Sequence, residues 1–190
     1  NNLKKKKDQR GKLIAACGTG KTLAALWITE HSALDISNLL FLAPTIELTA
    51  QTFREWAMQH KEEFDFLIIC SDDDAGNLGE DNSDIPVSDL GIRVTTDVRE
   101  ILGFLDMKSD KRKYVFSTYQ SSDRIREAME HTKAFKSFDL IIFDEAHRTA
   151  SKTFDPKGGM QVAIDNSKII SKRRLFMTAT ERIQTPRVKK

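Results

Sequence analysis

A short apolar run at residues 13–17 leads through Gly18-Thr19-Gly20 into Lys21-Thr22, and a helical pattern follows over residues 21–31. No other feature constrains the fold of this chain as much. Strand, glycine-rich turn and helix in direct succession set a helix N-terminus over the carboxyl end of a buried strand. Glycines let backbone N–H groups turn inward and approach an anion with no Cβ in the way. The first helical turn adds its unpaired N–H groups and the positive end of its dipole. Gly18, Thr19, Gly20, Lys21 and Thr22 thus read as a phosphate cradle. In such a cradle the lysine reaches the β- and γ-phosphates of a nucleotide and the hydroxyl of Thr22 ligates Mg²⁺.

The remaining pattern repeats that unit. Further strands are expected at residues 39–43, 66–70, 114–117, 140–143 and 174–177, alternating with amphipathic helices at 46–60, 97–105 and 122–131. The strand segments are continuously apolar rather than alternating, as in a parallel sheet covered by helices on both faces. The expectation is an α/β, doubly wound domain whose ligands bind at the carboxyl ends of the strands. Two stretches break the rhythm and read as loops: residues 72–86, with Asp72, Asp73 and Asp74, and residues 155–159. The three aspartates lack the Gly and Glu of a calcium loop and read as a solvated surface. Phe53 and Trp56, one turn apart on a predicted helix, read as core rather than as base-stacking platforms.

A second acidic motif answers the first. The run Asp139-Leu140-Ile141-Ile142-Phe143 enters Asp144-Glu145-Ala146-His147 directly. A buried strand ending in two acids suits metal-assisted phosphoryl transfer. Asp144 would help hold Mg²⁺, and Glu145 would orient and deprotonate the attacking water. Neighbouring residues on an extended chain point opposite ways, so the backbone has to turn after Asp144 for both carboxylates to act together.

These segments together resemble the first RecA-like domain of superfamily-two DEAD/DEAH-box helicases. Residues 15–22, with Ala15 where the general phosphate-loop pattern has Gly, resemble motif I; Asp144 to His147 resemble motif II; Thr178-Ala179-Thr180 resemble motif III. Pro44-Thr45-Ile46-Glu47-Leu48, with Gln51 one turn on, resembles motif Ia. Val94-Thr95-Thr96-Asp97 and Ser117-Thr118-Tyr119-Gln120-Ser121 resemble strand-end segments that touch a nucleic-acid backbone. The wording around the motifs, Arg10-Gly11-Lys12-Leu13-Ile14 and Arg148-Thr149, is most similar to DNA translocase domains of restriction-type enzymes.

The resemblance implies an ATP- and Mg²⁺-dependent motor whose partner is nucleic acid, DNA in preference to RNA, contacted through its backbone without sequence reading. Lys21, Asp144, Glu145 and His147 would be catalytic. Thr178 and Thr180 would bond to His147 and couple phosphate state to the nucleic-acid side. Pro44, Thr45, Thr95, Thr96, Thr118 and Gln120 would touch the phosphodiester chain. Pro44-Thr45 suits that role on its own chemistry, since it ends a strand and opens a helix. A plain helix cap is its rival. The domain is expected to span residues 1–180, with 181–190 a linker toward a second RecA-like domain that would supply arginine fingers. Without those arginines, weak binding and poor hydrolysis of Mg·ATP are expected of these residues alone.

Composition narrows the field around this reading. With 39% hydrophobic and 31% charged residues the chain is of ordinary globular make-up, and a formal net charge of +2 gives no overall basic field. No apolar run is long enough to span a bilayer, and Lys4 to Lys7 read as a solvated tail rather than a signal segment. Cys17 and Cys70 lack metal-ligand spacing and fit a reducing, cytoplasmic setting. Two other classes remain open: an RNA helicase domain, and a catalytically idle RecA-like module used for binding. A transporter ATPase would need a signature sequence that is missing here.

Overall fold

The computed structural model describes residues 9–16, 18–70, 94–147 and 159–179. In chain order its elements are β1 (Gln9–Ile14), α1 (Lys21–Glu30), β2 (Asn38–Ala43), α2 (Ile46–Gln59), β3 (Phe64–Ile69), β4 (Val94–Thr95), α3 (Val98–Asp106), β5 (Arg112–Thr118), α4 (Ser122–His131), β6 (Leu140–Phe143), α5 (Gly159–Ile164) and β7 (Arg173–Thr178). The seven strands form one sheet in the order β1-β7-β6-β2-β5-β3-β4, every pair parallel.

Two apolar layers follow from this topology. Leu39, Phe41 and Ala43 of β2 face α1 and α2, meeting Leu26, Ala50 and Trp56. Leu40 and Leu42 face the other way, onto Ile101 and Leu105 of α3, Ile125 and Ala128 of α4 and Val162 of α5. Successive strand residues feed opposite layers, so a central strand in a helix-covered parallel sheet has no polar face. β2 and β6 meet that description, with every residue from Leu39 to Ala43 and Leu140 to Phe143 buried. Phe53 and Trp56 are likewise buried, Trp56 completely, and belong to the core.

The first strand differs from its expected position. Pairing runs from Gln9↔Arg173 to Ile14↔Thr178, rather than over 13–17. The reason is its place at the sheet edge, where Gln9, Arg10, Gly11 and Lys12 are exposed and a polar strand is stable with one partner. Hydrophobicity alone pointed to a run that shares only Leu13 and Ile14 with the true strand and continues past its end. β4, at the segment read as a strand end, continues the sheet beyond β3 with only two residues, whereas α5, which begins at Gly159 where a loop was expected, and a 3-10 turn at Ser32–Leu34 were not foreseen. Lys4 to Lys7, Cys17, residues 71–93 with Asp72 to Asp74, residues 148–158, and Thr180 with everything after it lie outside the described residues. Among the described residues, no helix is long and apolar enough to cross a membrane.

Candidate active site

The phosphate loop begins where β1 lets go of the sheet. Ala15 N–H still donates to Thr178 O, at 3.1 Å, so the chain departs only beyond that residue. Gly18 and Gly20 both adopt left-handed backbone, with φ of 76° and 83°. A Cβ there would meet no protein atom within 4 Å, so the glycines serve the backbone conformation and leave the loop's outer side open. Gly20 caps α1 without any side-chain acceptor. The first-turn N–H groups of α1 are thus left to an outside anion.

Lys21 is held back against the loop. Its Nζ donates to Ala15 O at 3.1 Å and to Ala16 O at 3.3 Å, and it lies 3.8 Å from Glu145 Oε1. The indole Nε1 of Trp56 donates to Thr22 O at 3.1 Å, so α2 steadies the first turn of α1. Nothing in the sequence pattern pointed to that contact.

The acidic turn is built on β6. Asp144 N–H donates to Leu42 O at 2.8 Å, and Tyr119 Oη donates to Asp144 O at 2.6 Å. Glu145 takes φ of 48°, the left-handed turn that two cooperating carboxylates require. Burial pushes the Asp144 carboxyl above the ordinary aspartate range. Glu145's backbone N–H pulls it back, its charge adds to the rise, and Lys21 and His147 oppose it. Glu145 Oε2 is buried and accepts no hydrogen bond among the described residues. The nearest ring nitrogen, His147 Nδ1, lies 3.0 Å away but is aligned instead with Thr178 Oγ1, at 3.1 Å.

These groups share one cleft of about 490 Å³, lined by Gly18, Gly20, Lys21, Thr22, Asp144 and Glu145. The same cleft is lined by a polar stripe of α2, Gln51, Glu55 and Gln59, of which only Gln51 stood out in the sequence. Their four-residue spacing on one helix face was the available signal. Among the described residues no group of three or more acidic, His or Cys side chains could hold a metal by itself. A hydroxyl and a carboxylate, Thr22 and Asp144, are instead the sparse hard-oxygen set with which Mg²⁺ binds when phosphates and water complete its shell. An orphaned buried oxygen on Glu145 and open helix N–H groups fit a Mg²⁺-bound nucleotide.

The segments expected to meet nucleic acid line the same edge of the sheet, at the ends of β2, β4 and β5. Their hydroxyls are largely engaged locally. Thr45 Oγ1 accepts from Leu48 N–H at 3.2 Å as the cap of α2, and Thr95 Oγ1 accepts from Asp97 N–H at 3.0 Å. Thr118 Oγ1 donates to Ser121 Oγ at 3.2 Å. Pro44, Thr45, Thr95 and Thr118 are buried, whereas Thr96 and Gln120 are half-exposed.

A parallel sheet with a phosphate loop, an acidic box and a His–Thr contact all at its carboxyl edge defines a RecA-like domain of the superfamily-two helicase kind. The sequence matches the family of the Type III restriction enzyme, res subunit, over residues 1–183, and the chain belongs to that family. Among solved structures it is similar to the ATP-dependent Type ISP restriction-modification enzyme LlaBIII bound to DNA, with 33% identity over 90% of this chain and a TM-score of 0.75. It is also similar to a nuclease-deletion mutant of the Type ISP enzyme LlaGI in complex with a DNA substrate mimic, with 32% identity over 90% of this chain and a TM-score of 0.70. The chain spans 11% and 13% of those two proteins, respectively. The helicase domain of Pyrococcus furiosus Hef shares the fold, at 19% identity over 95% of this chain and 31% of that one, with a TM-score of 0.54. No curated protein sequence matches.

Proposed function

We propose that this domain binds and hydrolyses Mg·ATP as the motor unit of a restriction-type DNA translocase. The observation that carries the proposal is the convergence of two distant motifs on one cleft, with Lys21 Nζ 3.8 Å from Glu145 Oε1 and Thr22 and Asp144 beside them. Gly18, Thr19 and Gly20 offer backbone N–H groups to the phosphates, and Lys21 exchanges its loop carbonyls for the terminal phosphates when nucleotide enters. Thr22 and Asp144 would hold Mg²⁺, which when bound neutralises charge on the transferring phosphate. Glu145, whose Oε2 has no hydrogen-bond donor among the described residues, orients the attacking water and takes its proton. His147 Nδ1 and the Thr178 hydroxyl, 3.1 Å apart, link the acidic turn to β7.

The ends of β2, β4 and β5 would carry a nucleic-acid backbone, with Pro44, Thr45, Thr95 and Thr118 shaping the ledge and Thr96 and Gln120 most open to it. Contacts of this sort are salt-sensitive and indifferent to sequence. The restriction-enzyme relatives, bound to DNA or to its mimic, favour DNA over RNA as that partner. A second RecA-like domain of the same parent chain would close the cleft and supply the missing cations. Titration with Mg·ATP tests the nucleotide site: Lys21→Ala is expected to lose most of the binding, and equal affinity in both forms would refute the assignment.

A further inference from the structure

Tyr119 stands out as a polar group sunk in an apolar layer. It follows β5 directly and is 1% exposed. Its backbone N–H donates to Ala43 O at 3.0 Å, at the end of β2. Its ring stacks on Phe143 at 6.3 Å between centroids and 21° between planes. Its hydroxyl ends on Asp144 O at 2.6 Å, at the end of β6. In the sheet β2 lies between β5 and β6, so one residue laces together three strand ends. Two of those ends, Ala43-Pro44-Thr45 and Thr118 to Gln120, belong to the ledge assigned to nucleic acid. The third is the turn that carries both catalytic carboxylates.

The hydrogen bond falls on a sensitive peptide. The Asp144 carbonyl belongs to the plane that leads into Glu145, whose φ of 48° is a costly conformation for a residue with a Cβ. Asp144 is fixed on the other side by its N–H bond to Leu42 O, so Tyr119 Oη and Leu42 O together clamp one residue's backbone from both ends. A phenylalanine would fill the same space and keep the stack. Only the hydroxyl reaches the carbonyl.

We propose that Tyr119 is a positioning residue that transmits nucleic-acid engagement at the ends of β2 and β5 to the orientation of Glu145, and so sets how strongly DNA accelerates ATP turnover. The proposal rests on the function proposed above. A displacement of the β5 end by a bound backbone moves the phenol, and the phenol moves the Asp144–Glu145 peptide. The link is a pair of hydrogen bonds from one side chain and its own backbone to the two sites, one of the physical forms through which energetic coupling travels.

The test uses the full-length parent protein, unmutated and as Tyr119→Phe, with duplex DNA as the polymer. The expected result is a fall in DNA-stimulated kcat of about tenfold, the change that about 1.4 kcal/mol of barrier produces. KM for ATP and affinity for DNA stay within about twofold, the spread of a context-dependent hydrogen bond lost away from both ligands. Amide exchange at Glu145 and Ala146 becomes faster in the variant. Phe143→Leu serves as a control that thins the stack without touching the hydroxyl: it lowers melting temperature and leaves the stimulation ratio in place. Unchanged kcat and unchanged exchange in Tyr119→Phe would overturn the proposal. So would a joint loss of kcat, ATP affinity and DNA affinity that Phe143→Leu reproduces, since that is a packing defect. Turnover in the unmutated protein that no DNA stimulates would instead refute the motor function and the coupling with it, while amide exchange would still report whether the phenol holds the turn.

Discussion

Replacing Glu145 by glycine and by alanine should give stabilities in the reverse of their usual order. At an ordinary position glycine is the worse residue by about 0.5–1 kcal/mol, because it loses more backbone freedom on folding. At φ of 48° the balance changes, since a Cβ in left-handed backbone costs about 1–2 kcal/mol and glycine pays none of it. Both substitutions remove the same carboxylate, including the buried Oε2 that lacks a hydrogen-bond partner and the 3.8 Å approach to Lys21, so those contributions cancel in the comparison. The net expectation is that Glu145→Gly is more stable than Glu145→Ala by about 0–1.5 kcal/mol, centred near 0.75, at about 2–4 °C per kcal/mol for a chain of this size. Thermal melting followed by far-UV circular dichroism on the two variants reads the difference. An alanine form more stable than the glycine form by the ordinary margin of about 0.5–1 kcal/mol would mean that the backbone does not turn at Glu145. The two carboxylates would then face apart and could not serve one nucleotide.

Two further substitutions probe the frame of the site. Asp106, at the end of α3, accepts N–H bonds from Lys133, Ala134 and Phe135, and the bonds from Lys133 and Phe135 hold its carboxyl below the usual aspartate range. Its contribution to stability is therefore present above the ordinary aspartate pKa and is lost as pH falls through the depressed one. Asp106→Asn should destabilise the domain at neutral pH, with the gap to the unmutated chain closing in acid; a gap independent of pH would refute the ionic origin. Thr45→Ala removes the cap of α2 and should cost about 1 kcal/mol in urea unfolding. No loss would show that the hydroxyl serves something other than the helix.

The parts of this molecule legible in its sequence are those written in contiguous residues. Gly18 to Thr22 carry turn, helix start and chemistry in one short run, and Asp139 to His147 carry strand, turn and chemistry, so both motifs could be read directly. β2, β5 and β6 were legible because burial on both faces forces continuous apolar sequence. β1 was misplaced because an edge strand is under no such demand, and Gln9 to Lys12 pair with β7 while remaining polar. Contacts that cross the sheet left no local trace. Tyr119 meeting Asp144, and Trp56 meeting Thr22, depend on strand order, which brings residues 25 and 34 positions apart into hydrogen-bond range. Hydroxyls suited to a phosphodiester also suit a helix cap or a turn, and Thr45, Thr95 and Thr118 all have such local partners here.

ATP turnover by the full-length parent protein, measured with duplex DNA, single-stranded DNA, RNA or no polymer, tests the proposed motor most directly, with Glu145→Gln as the blank. Strong stimulation by duplex DNA that vanishes in the blank is the expected result. Turnover that no polymer stimulates, or that survives Glu145→Gln, would contradict it.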